Sequence, residues 1–262
     1  MRLILATNPI TRPAEGLYVG CAGWNIPSIH APEFQTQGSH LERYSARLTA
    51  VEVNSSFYRP HQRKTYARWR ASVPPDFRFS VKLPKQITHL LKLQGAESAV
   101  DIFLSETAGL EEKLGCLLVQ LPPSLAFDAS GAEHFFSYLR SSSGTAIMLE
   151  PRHLSWTAHS ARTILDRYQV GLVFADPNPL AQSEPATLGD TVYLRLHGSP
   201  VIYRSSYSDS YLDAVSQRLA ALRANGKNVW CIFDNTANGA ATRNAVDLLL
   251  RLKRLTAMTA RP

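Results

Sequence analysis

The sequence contains few cysteines and no long hydrophobic run. Its 262 residues include only Cys21, Cys116 and Cys231, and an odd number of such widely spaced cysteines argues against a disulfide framework. No apolar stretch reaches the roughly eighteen residues that a membrane-spanning helix needs. The N-terminal stretch is too short and too interrupted by proline for a secretory signal. We therefore expect a cytoplasmic protein with reduced, buried thiols and no membrane contact.

Motifs of several enzyme classes are also missing. The sequence has no G-x-S-x-G elbow, no phosphate-binding P-loop and no C-x-x-C pair, so it implies no particular cofactor. Apolar residues make up 45% of the chain and charged residues 19%. These fractions are typical of a globular protein and exclude a disordered one.

Positive charge exceeds negative charge in this chain. The 28 lysines and arginines outnumber the 21 aspartates and glutamates, which gives a formal net charge of +7. Such a balance suits an acidic ligand, from a small anionic molecule to nucleic acid. No basic run is long enough to form a basic arm, so charge alone does not choose between these ligands.

Eight short apolar, β-branched segments recur along the chain at fairly regular spacing, which predicts eight strands. They are Leu17–Cys21, Ala50–Asn54, Arg78–Leu83, Cys116–Leu121, Ala146–Glu150, Gly171–Asp176, Val192–His197 and Val229–Asp234. Helical periodicity lies between most of them. Alternating strands and helices imply parallel pairing through right-handed crossovers.

End signals support several of the predicted helices. Ser39 and Glu42 have the spacing of a capping box, and Gly115 is interpreted as the glycine that ends a helix. The segment between Asp176 and Asp190 is rich in proline and shows no convincing helix. The chain therefore contains one irregular unit among otherwise regular ones.

The predicted fold class is α/β, a closed (β/α)8 barrel of the TIM type with an irregular unit after strand six. An open doubly wound sheet is the alternative, but no glycine-rich phosphate loop follows any strand, and the length and strand count favour closure. We assign residues 16–262 to a single barrel domain and residues 1–15 to a loose N-terminal tail. No linker or shift in composition marks a second domain.

Polar side chains stand near the carboxyl end of nearly every predicted strand, where TIM barrels carry their chemistry. A parallel sheet covered on both faces is otherwise apolar. The candidate catalytic residues are Glu52, Glu150, Asp176 and His197, and histidine is the first choice for proton transfer because it titrates near neutral pH. A second set is expected to bind substrate and consists of Trp24, Asn54, Tyr58, Lys82, Gln120, Arg152, Trp156, Arg195, Asp234 and Asn235.

Two other interpretations of the charged residues stay open. They could pair with one another as a structural network that closes the barrel mouth, since a buried charge is costly unless it is paired. Alternatively, the oxygen and nitrogen ligands among them could converge on a divalent metal. That set would be Glu52, Glu150, Asp176, His197 and Asp234. No H-x-x-x-H or similar spacing supports a metal site, so we assign no metal ligand.

The motifs at these strand ends resemble those of the YecE-like family, whose members carry the domain of unknown function seventy-two. The resemblance runs from about Tyr18 to the final helix. The motifs are Gly20–Trp24, Val51–Tyr58, Phe79–Pro84, Leu118–Pro123, Glu150–Trp156, Tyr193–Gly198 and Phe233–Thr236. The resemblance implies a TIM-type barrel in a bacterial cytosolic protein, but no established reaction or cofactor. Asp234 departs from the family pattern, which often has asparagine there, and Pro151 replaces a bulkier residue.

The first functional hypothesis is an enzyme that acts on an anionic small molecule, phosphorylated or carboxylated. Lys82, Arg152 and Arg195 would hold the anion, and Glu150 and His197 would move protons.

Two hypotheses from other classes compete with it. A nucleic-acid-binding protein or metal-dependent nuclease would use the net positive charge and a set of arginines expected to be exposed, namely Arg59, Arg63, Arg68 and Arg70. A non-catalytic ligand-sensing or partner-binding module would use the barrel as a scaffold only. The fold does not decide among the three, because barrels carry unrelated chemistries.

Overall fold

Eight parallel strands close into a barrel in chain order in the computed structural model, which describes residues 16–180 and 189–259. The strands are β1 (Leu17–Ala22), β2 (Ala50–Val53), β3 (Arg78–Lys82), β4 (Leu114–Gln120), β5 (Ala146–Glu150), β6 (Val170–Asp176), β7 (Thr191–Leu196) and β8 (Asn228–Phe233). The first strand pairs with the last, Leu17 opposite Val229. All eight predicted strands are confirmed, and their ends differ from the prediction by at most two residues.

Helices follow most strands and cover the outside of the barrel. They are α1 (His40–Ser45), α2 (Ser55–Tyr58), α3 (Arg63–Ala71), α4 (Glu97–Thr107), α5 (Ala129–Ser142), α6 (His159–Arg167), α7 (Asp209–Ala224) and α8 (Ala240–Thr259). The capping box before α1 is confirmed, because Ser39 Oγ accepts a hydrogen bond from Glu42 N at 3.3 Å and Glu42 Oε2 accepts one from Ser39 N at 2.7 Å. None of the described helices combines the length and apolar character needed to cross a bilayer.

The unit after β6 is irregular, as predicted. Its described parts, residues 177–180 and 189–190, form bends and turns without a helix. The rest of that segment, residues 181–188, lies outside the described residues, and so does the predicted N-terminal tail, residues 1–15.

Apolar side chains form two layers, one on each side of the barrel wall. The larger layer lies between strands and helices and includes Phe103, Phe136 and Leu249. The smaller one fills the barrel interior and consists of Ala50, Cys116, Leu118, Met148, Tyr193, Trp230 and Ile232. Complete burial of a large apolar side chain stabilises the fold by about 1.5–3 kcal/mol. The interior is therefore a packed core rather than a channel, and it supports the polar groups at the carboxyl ends of the strands.

Gly115 lies inside β4 and does not end a helix, so that prediction is wrong. Helix α4 ends at Thr107, and a 3₁₀ turn from Ala108 to Lys113 leads into the strand. A Cβ atom at Gly115 would lie 2.4 Å from Cζ2 of Trp230. The missing side chain makes room for this indole ring inside the barrel.

Candidate functional site

Arg195 lies at the centre of a polar network inside the carboxyl end of the barrel. It belongs to β7 and is only 1% exposed. Its Nε and Nη2 atoms donate hydrogen bonds to Glu52 at 3.0 and 2.7 Å, and its Nη1 donates to Glu150 Oε2 at 2.9 Å. Nη2 also lies 3.0 Å from Asp234 Oδ2. One guanidinium therefore joins carboxylates from three parts of the barrel wall.

Tyr193 connects this network to the apolar interior below it. Its hydroxyl donates to Glu52 Oε2 at 2.8 Å, and Ser80 Oγ lies 2.9 Å from the same phenol oxygen. Its ring stacks on Trp230 with a centroid separation of 5.8 Å. Alternation along β7 brings Tyr193 and Arg195 to the same inward face, so the core fixes the position of Glu52 from beneath.

His197 follows β7 and lies between two carboxylates. Its Nδ1 is 2.9 Å from Asp234 Oδ2, and its Nε2 is 2.9 Å from Glu150 Oε1. Burial alone would lower the pKa of His197, but the hydrogen bonds with Asp234 and Glu150 outweigh burial and raise that pKa above its ordinary value. Since each ring nitrogen faces an acceptor, we assign a proton to both of them and treat the ring as an imidazolium.

The two carboxylates beside His197 are held in their ionised form. Burial alone would raise the pKa of Glu150, but Arg195 and the hydrogen bond from His197 hold it well below its ordinary range. The pKa of Asp234 is likewise lowered, because Arg195 and His197 together outweigh its burial. Both groups therefore accept hydrogen bonds and do not act as acids near neutral pH.

Arg152 lies at the outer edge of the network and keeps unused donors. Its Nη2 donates to Glu150 Oε1 at 2.5 Å and lies 3.1 Å from His197 Nε2. Because both of these nitrogens carry hydrogen, they meet as two donors that converge on one carboxylate oxygen. The Nε atom of Arg152 is buried and has no hydrogen-bond partner in the described part of the chain. An unpaired buried donor of this kind is costly unless a ligand or water accepts from it.

Lys82 ends β3 and brings a second cation to the same mouth. The residue is 9% exposed, and its Nζ lies 4.2 Å from the centroid of the Phe57 ring. Burial and the nearby Arg195 lower the pKa of Lys82 to about 8. Within residues 16–180 and 189–259, no protein atom accepts a hydrogen bond from this ammonium and no carboxylate forms an ion pair with it.

The network carries a net positive charge when His197 is protonated. Its three carboxylates face four cationic groups, which are Arg195, Arg152, Lys82 and the His197 imidazolium. Arg195 and His197 already use their donors on the carboxylates, whereas in the described chain Arg152 keeps its Nε free and Lys82 donates to none of them. The arrangement can therefore accept one further negative charge at its outer edge.

Asp176 lies next to this network but takes a different partner. Its Oδ2 accepts a hydrogen bond from Tyr207 at 2.8 Å, and its backbone carbonyl accepts from His197 N at 2.8 Å. The Tyr207 hydroxyl also accepts from Gly198 N at 2.8 Å. Gly198 has a φ of +94°, and a Cβ there would lie 2.9 Å from the Ser205 carbonyl oxygen. These contacts fix the turn that carries His197, and no local sequence signal identifies Tyr207 as part of them.

Three predicted amide residues make local contacts at the strand ends. Asn235 is fully buried, and its Nδ2 donates to Ser205 O and Asn244 Oδ1, both at 2.9 Å. Gln120 donates to Leu121 O at 3.3 Å. Asn54 precedes α2, and its Oδ1 is buried without a partner among the described residues. Asn235 Oδ1 is likewise buried without a partner among the described residues, so Asn54 and Asn235 each keep a free acceptor.

The three predicted aromatic residues lie apart from the Arg195 network. Trp156 is 3% exposed within the outer apolar layer, and its Nε1 donates to Leu125 O at 3.0 Å. Trp24 is half-buried and packs edge-on against Trp69 at 5.0 Å. Tyr58 is 81% exposed and lines a groove of about 440 Å³ beside the mouth.

The contacts favour ion pairing over metal ligation. Among residues 16–180 and 189–259, no group of three or more histidine, cysteine, aspartate or glutamate side chains is arranged to hold a metal ion. Glu52, Glu150 and Asp234 each face Arg195, and a doubly protonated His197 offers no lone pair to a metal. The salt bridges of Arg195 leave the Nε of Arg152 free among the described residues, so ion pairing is compatible with an anion bound at the outer edge of the network.

The arginines of the nucleic-acid hypothesis lie around α3. Arg59, Arg63 and Arg68 are exposed, whereas Arg70 forms an ion pair with Glu111. Arg59 lines the groove beside Tyr58, whereas Arg63 and Arg68 do not line it. That hypothesis stays a prediction.

The chain has relatives among bacterial proteins of unknown function. A family model described as "Protein of unknown function DUF72" matches residues 18–262. The UPF0759 protein YunF of Bacillus subtilis (strain 168) is 26% identical, over 89% of this chain and 93% of that protein. The UPF0759 protein YecE of Escherichia coli (strain K12) is 29% identical over 106 residues, and this match covers 40% of the chain and only 38% of that relative.

Two crystal structures of DUF72 family proteins have the same fold. One, from Enterococcus faecalis V583, has a TM-score of 0.76 at 21% identity and covers 90% of this chain and 95% of that one. Another, from Thermotoga maritima MSB8, has a TM-score of 0.74 at 24% identity and covers 92% of this chain and 99% of that one. At these identities the likeness shows a shared fold only.

Proposed function

The chain belongs to the DUF72 family of proteins of unknown function, and on this premise we propose that its barrel mouth is an enzyme site for a small organic anion. The anion would carry a carboxylate or phosphate group. Arg152 and Lys82 would bind that group, and His197 with Glu150 would move protons to or from the bound molecule.

One observation carries the proposal. Lys82 Nζ and Arg152 Nε are cationic donors without a protein acceptor in the described chain, at the outer edge of a network whose carboxylates are already neutralised. Desolvated charges are costly unless they are paired. A bound anion would accept hydrogen bonds from both donors. Its negative charge would also offset the repulsion between Arg152 and His197, whose nitrogens lie 3.1 Å apart.

Arg195 takes a different role from the one expected at the sequence level. Its donors face Glu52, Glu150 and Asp234, so it positions carboxylates in this proposal and does not contact the ligand. His197 is the proton donor, because carboxylate oxygens 2.9 Å from both ring nitrogens favour the imidazolium and raise its pKa above the ordinary value. Glu150 stays ionised and orients the imidazolium, because its Oε1 accepts from both His197 and Arg152.

The test uses sulfate and oxalate as probes, since neither titrates near neutral pH. Isothermal titration calorimetry at constant ionic strength is expected to show saturable binding with one site per chain. Arg152→Gln and Lys82→Met should each weaken binding about tenfold or more, because a charge-assisted hydrogen bond contributes roughly 1.5–3 kcal/mol and 1.4 kcal/mol is a factor of ten.

Lys85→Met is the matched control, because Lys85 is an exposed lysine three positions after Lys82. It removes the same charge from the same loop without removing a donor from the mouth. His197→Gln tests the acid–base part. Oxalate binding should weaken as rising pH deprotonates both the imidazolium and Lys82, and the variant should lose the imidazolium's share of this pH dependence and keep that of Lys82. Absence of saturable binding, or equal weakening by Lys85→Met and the two mouth variants, would show that the mouth is not an anion site.

A further inference from the structure

Lys82 differs from the other buried lysine of the described chain in what surrounds its amine. Lys113 is 7% exposed, and its Nζ donates to the backbone oxygens of Arg70 and Val73 at 2.8 and 2.7 Å. Lys82 is similarly buried, but its Nζ lies over the face of the Phe57 ring. The first amine is held by acceptors, whereas the second keeps its lone pair or protons for another molecule.

The charged groups around Lys82 come from every side of the mouth. Arg195 from β7 opposes its protonation, and Glu52, Glu150 and Asp234 favour it. His89 lies on the turn after β3, where its ring packs edge-on against Phe57 at 4.8 Å. All three carboxylates are bonded to Arg195 or His197, so none of them forms an ion pair with the amine.

This environment keeps a useful fraction of Lys82 neutral. Burial and Arg195 lower the pKa of Lys82 to about 8. At pH 7, roughly one amine in ten would then be unprotonated, against fewer than about one in a thousand for an ordinary lysine. Desolvation next to another cation is a recognised way to make a lysine nucleophilic.

We propose that Lys82 is a covalent catalytic residue that forms an imine with a carbonyl compound bearing a carboxylate or phosphate group. This inference rests on the proposed function, because Arg152 would hold the anionic group while the carbonyl carbon faces Nζ. The nitrogen lone pair attacks the carbonyl carbon and gives a carbinolamine. The carbon–oxygen bond then breaks, and the oxygen leaves as water with the two hydrogens that the neutral amine carried.

The Phe57 ring and the backbone orient the amine for this step. Ser56 Oγ lies 2.7 Å from the Lys82 carbonyl oxygen and 2.9 Å from the Val53 carbonyl oxygen, which ties the turn after β2 to the end of β3. Phe57 also lines the 440 Å³ groove, so one side of the ring faces Lys82 and the residue borders the space outside. A small molecule in the mouth would therefore meet a fixed amine.

The experiment traps the imine with glyoxylate, a small anionic aldehyde, and reduces it with cyanoborohydride on the intact chain. Peptide mass spectrometry then measures carboxymethylation at each lysine. Near neutral pH, Lys82 is expected to react about tenfold faster than the exposed Lys85, although it is more buried. Lys113 is about as buried as Lys82, but its amine donates to two backbone oxygens, so it should react more slowly than Lys85. Sulfate should slow the reaction at Lys82 and leave Lys85 unchanged.

Lys82→Arg separates the imine from simple anion binding. This variant keeps the positive charge, so it should still bind sulfate. The peptide that contains position 82 should no longer be labelled, because a guanidinium does not form the imine. If Lys82 is labelled no faster than Lys85 although wild-type chain binds sulfate, the imine proposal is wrong and the anion site stands. If Lys82 is labelled fast but neither sulfate nor oxalate binds, the amine is reactive but the anion site is wrong, and the proposal of an anionic carbonyl substrate fails with it.

Discussion

His197 and Asp234 hold each other in the charged form where β7 and β8 end. The Nδ1 atom of the imidazole lies 2.9 Å from Oδ2 of the carboxylate, and both groups are almost completely buried. The pair raises the pKa of His197 and lowers that of Asp234, although burial acts on each in the opposite direction. Protonation at the mouth is therefore linked to the stability of the fold.

The Asp234→Asn variant tests this linkage. A raised histidine pKa contributes stability that is fully present below its ordinary value of about 6.5 and is lost as the pH rises through the raised value. A lowered carboxyl pKa contributes stability that is present above its ordinary value and is lost as the pH falls through the lowered one. The variant should lower the pKa of His197, reduce the alkaline loss of stability and remove the acid loss that Asp234 causes.

Two measurements check this prediction. Nuclear magnetic resonance gives the His197 titration directly, and urea unfolding at a series of pH values gives the free energy of unfolding. Asp166→Asn is the control, because Asp166 is half exposed and pairs with Arg162 one turn away on α6, a contact worth only about 0.3–0.5 kcal/mol. An unchanged His197 titration in Asp234→Asn would mean that the carboxylate does not hold the imidazolium.

Arg195 should be far more important to stability than any surface arginine. Arg195→Leu leaves Glu52 buried without its cation and removes one of the cations that face Glu150. Breaking a buried ion pair in this way costs about 3–5 kcal/mol. Arg251→Leu removes the partner of Asp209 and Asp213, which are 87% and 60% exposed in their side chains. Exposed pairs contribute about 0–1 kcal/mol, so urea unfolding should separate the two variants clearly.

The double variant Glu52→Gln with Arg195→Leu keeps this prediction decisive even if the single variant folds poorly. Removing one carboxylate together with the arginine should recover part of the lost stability, because fewer buried charges stay unpaired. Strictly additive effects of the two substitutions would show that the two side chains are not coupled.

The sequence predicts the wall of the barrel and its inward face because both follow from a period of two. Tyr193 and Arg195 alternate with apolar residues in β7, and both side chains face Glu52, as that pattern requires. Glu52 and Glu150 lie in separate strands, yet closure brings both to Arg195. Once the strands are placed in order, the composition of the mouth follows from their last residues.

The partners within the mouth could not be read from the sequence. Whether Arg195 binds a ligand or carboxylates depends on the stagger between strands, which no local pattern specifies. Tyr207 contacts Asp176 across a separation of 31 residues, and Trp156 follows a strand end but packs in the outer apolar layer. Distances set by closure decide these contacts.

Gly115 shows how a local signal can mislead, and it gives a last prediction. The glycine follows a helical stripe and so looks like a helix end, but its true neighbour is the indole of Trp230. Gly115→Ala should therefore destabilise the barrel by about 1–3 kcal/mol through overpacking. Gly144→Ala is the control, because a Cβ at Gly144 meets nothing within 4 Å and should leave stability unchanged or raise it by about 0.4–1 kcal/mol.

Combining Gly115→Ala with Trp230→Phe identifies the cause of the loss. The smaller ring gives space to the new methyl group, while the methyl group fills part of the cavity that the lost indole leaves. The free energy lost by the double variant, measured by urea unfolding, should therefore be smaller than the sum of the two single losses. Additive losses would mean that the glycine is required by the backbone of β4 itself, and the packing of the indole would then not explain why the second residue of this strand is glycine.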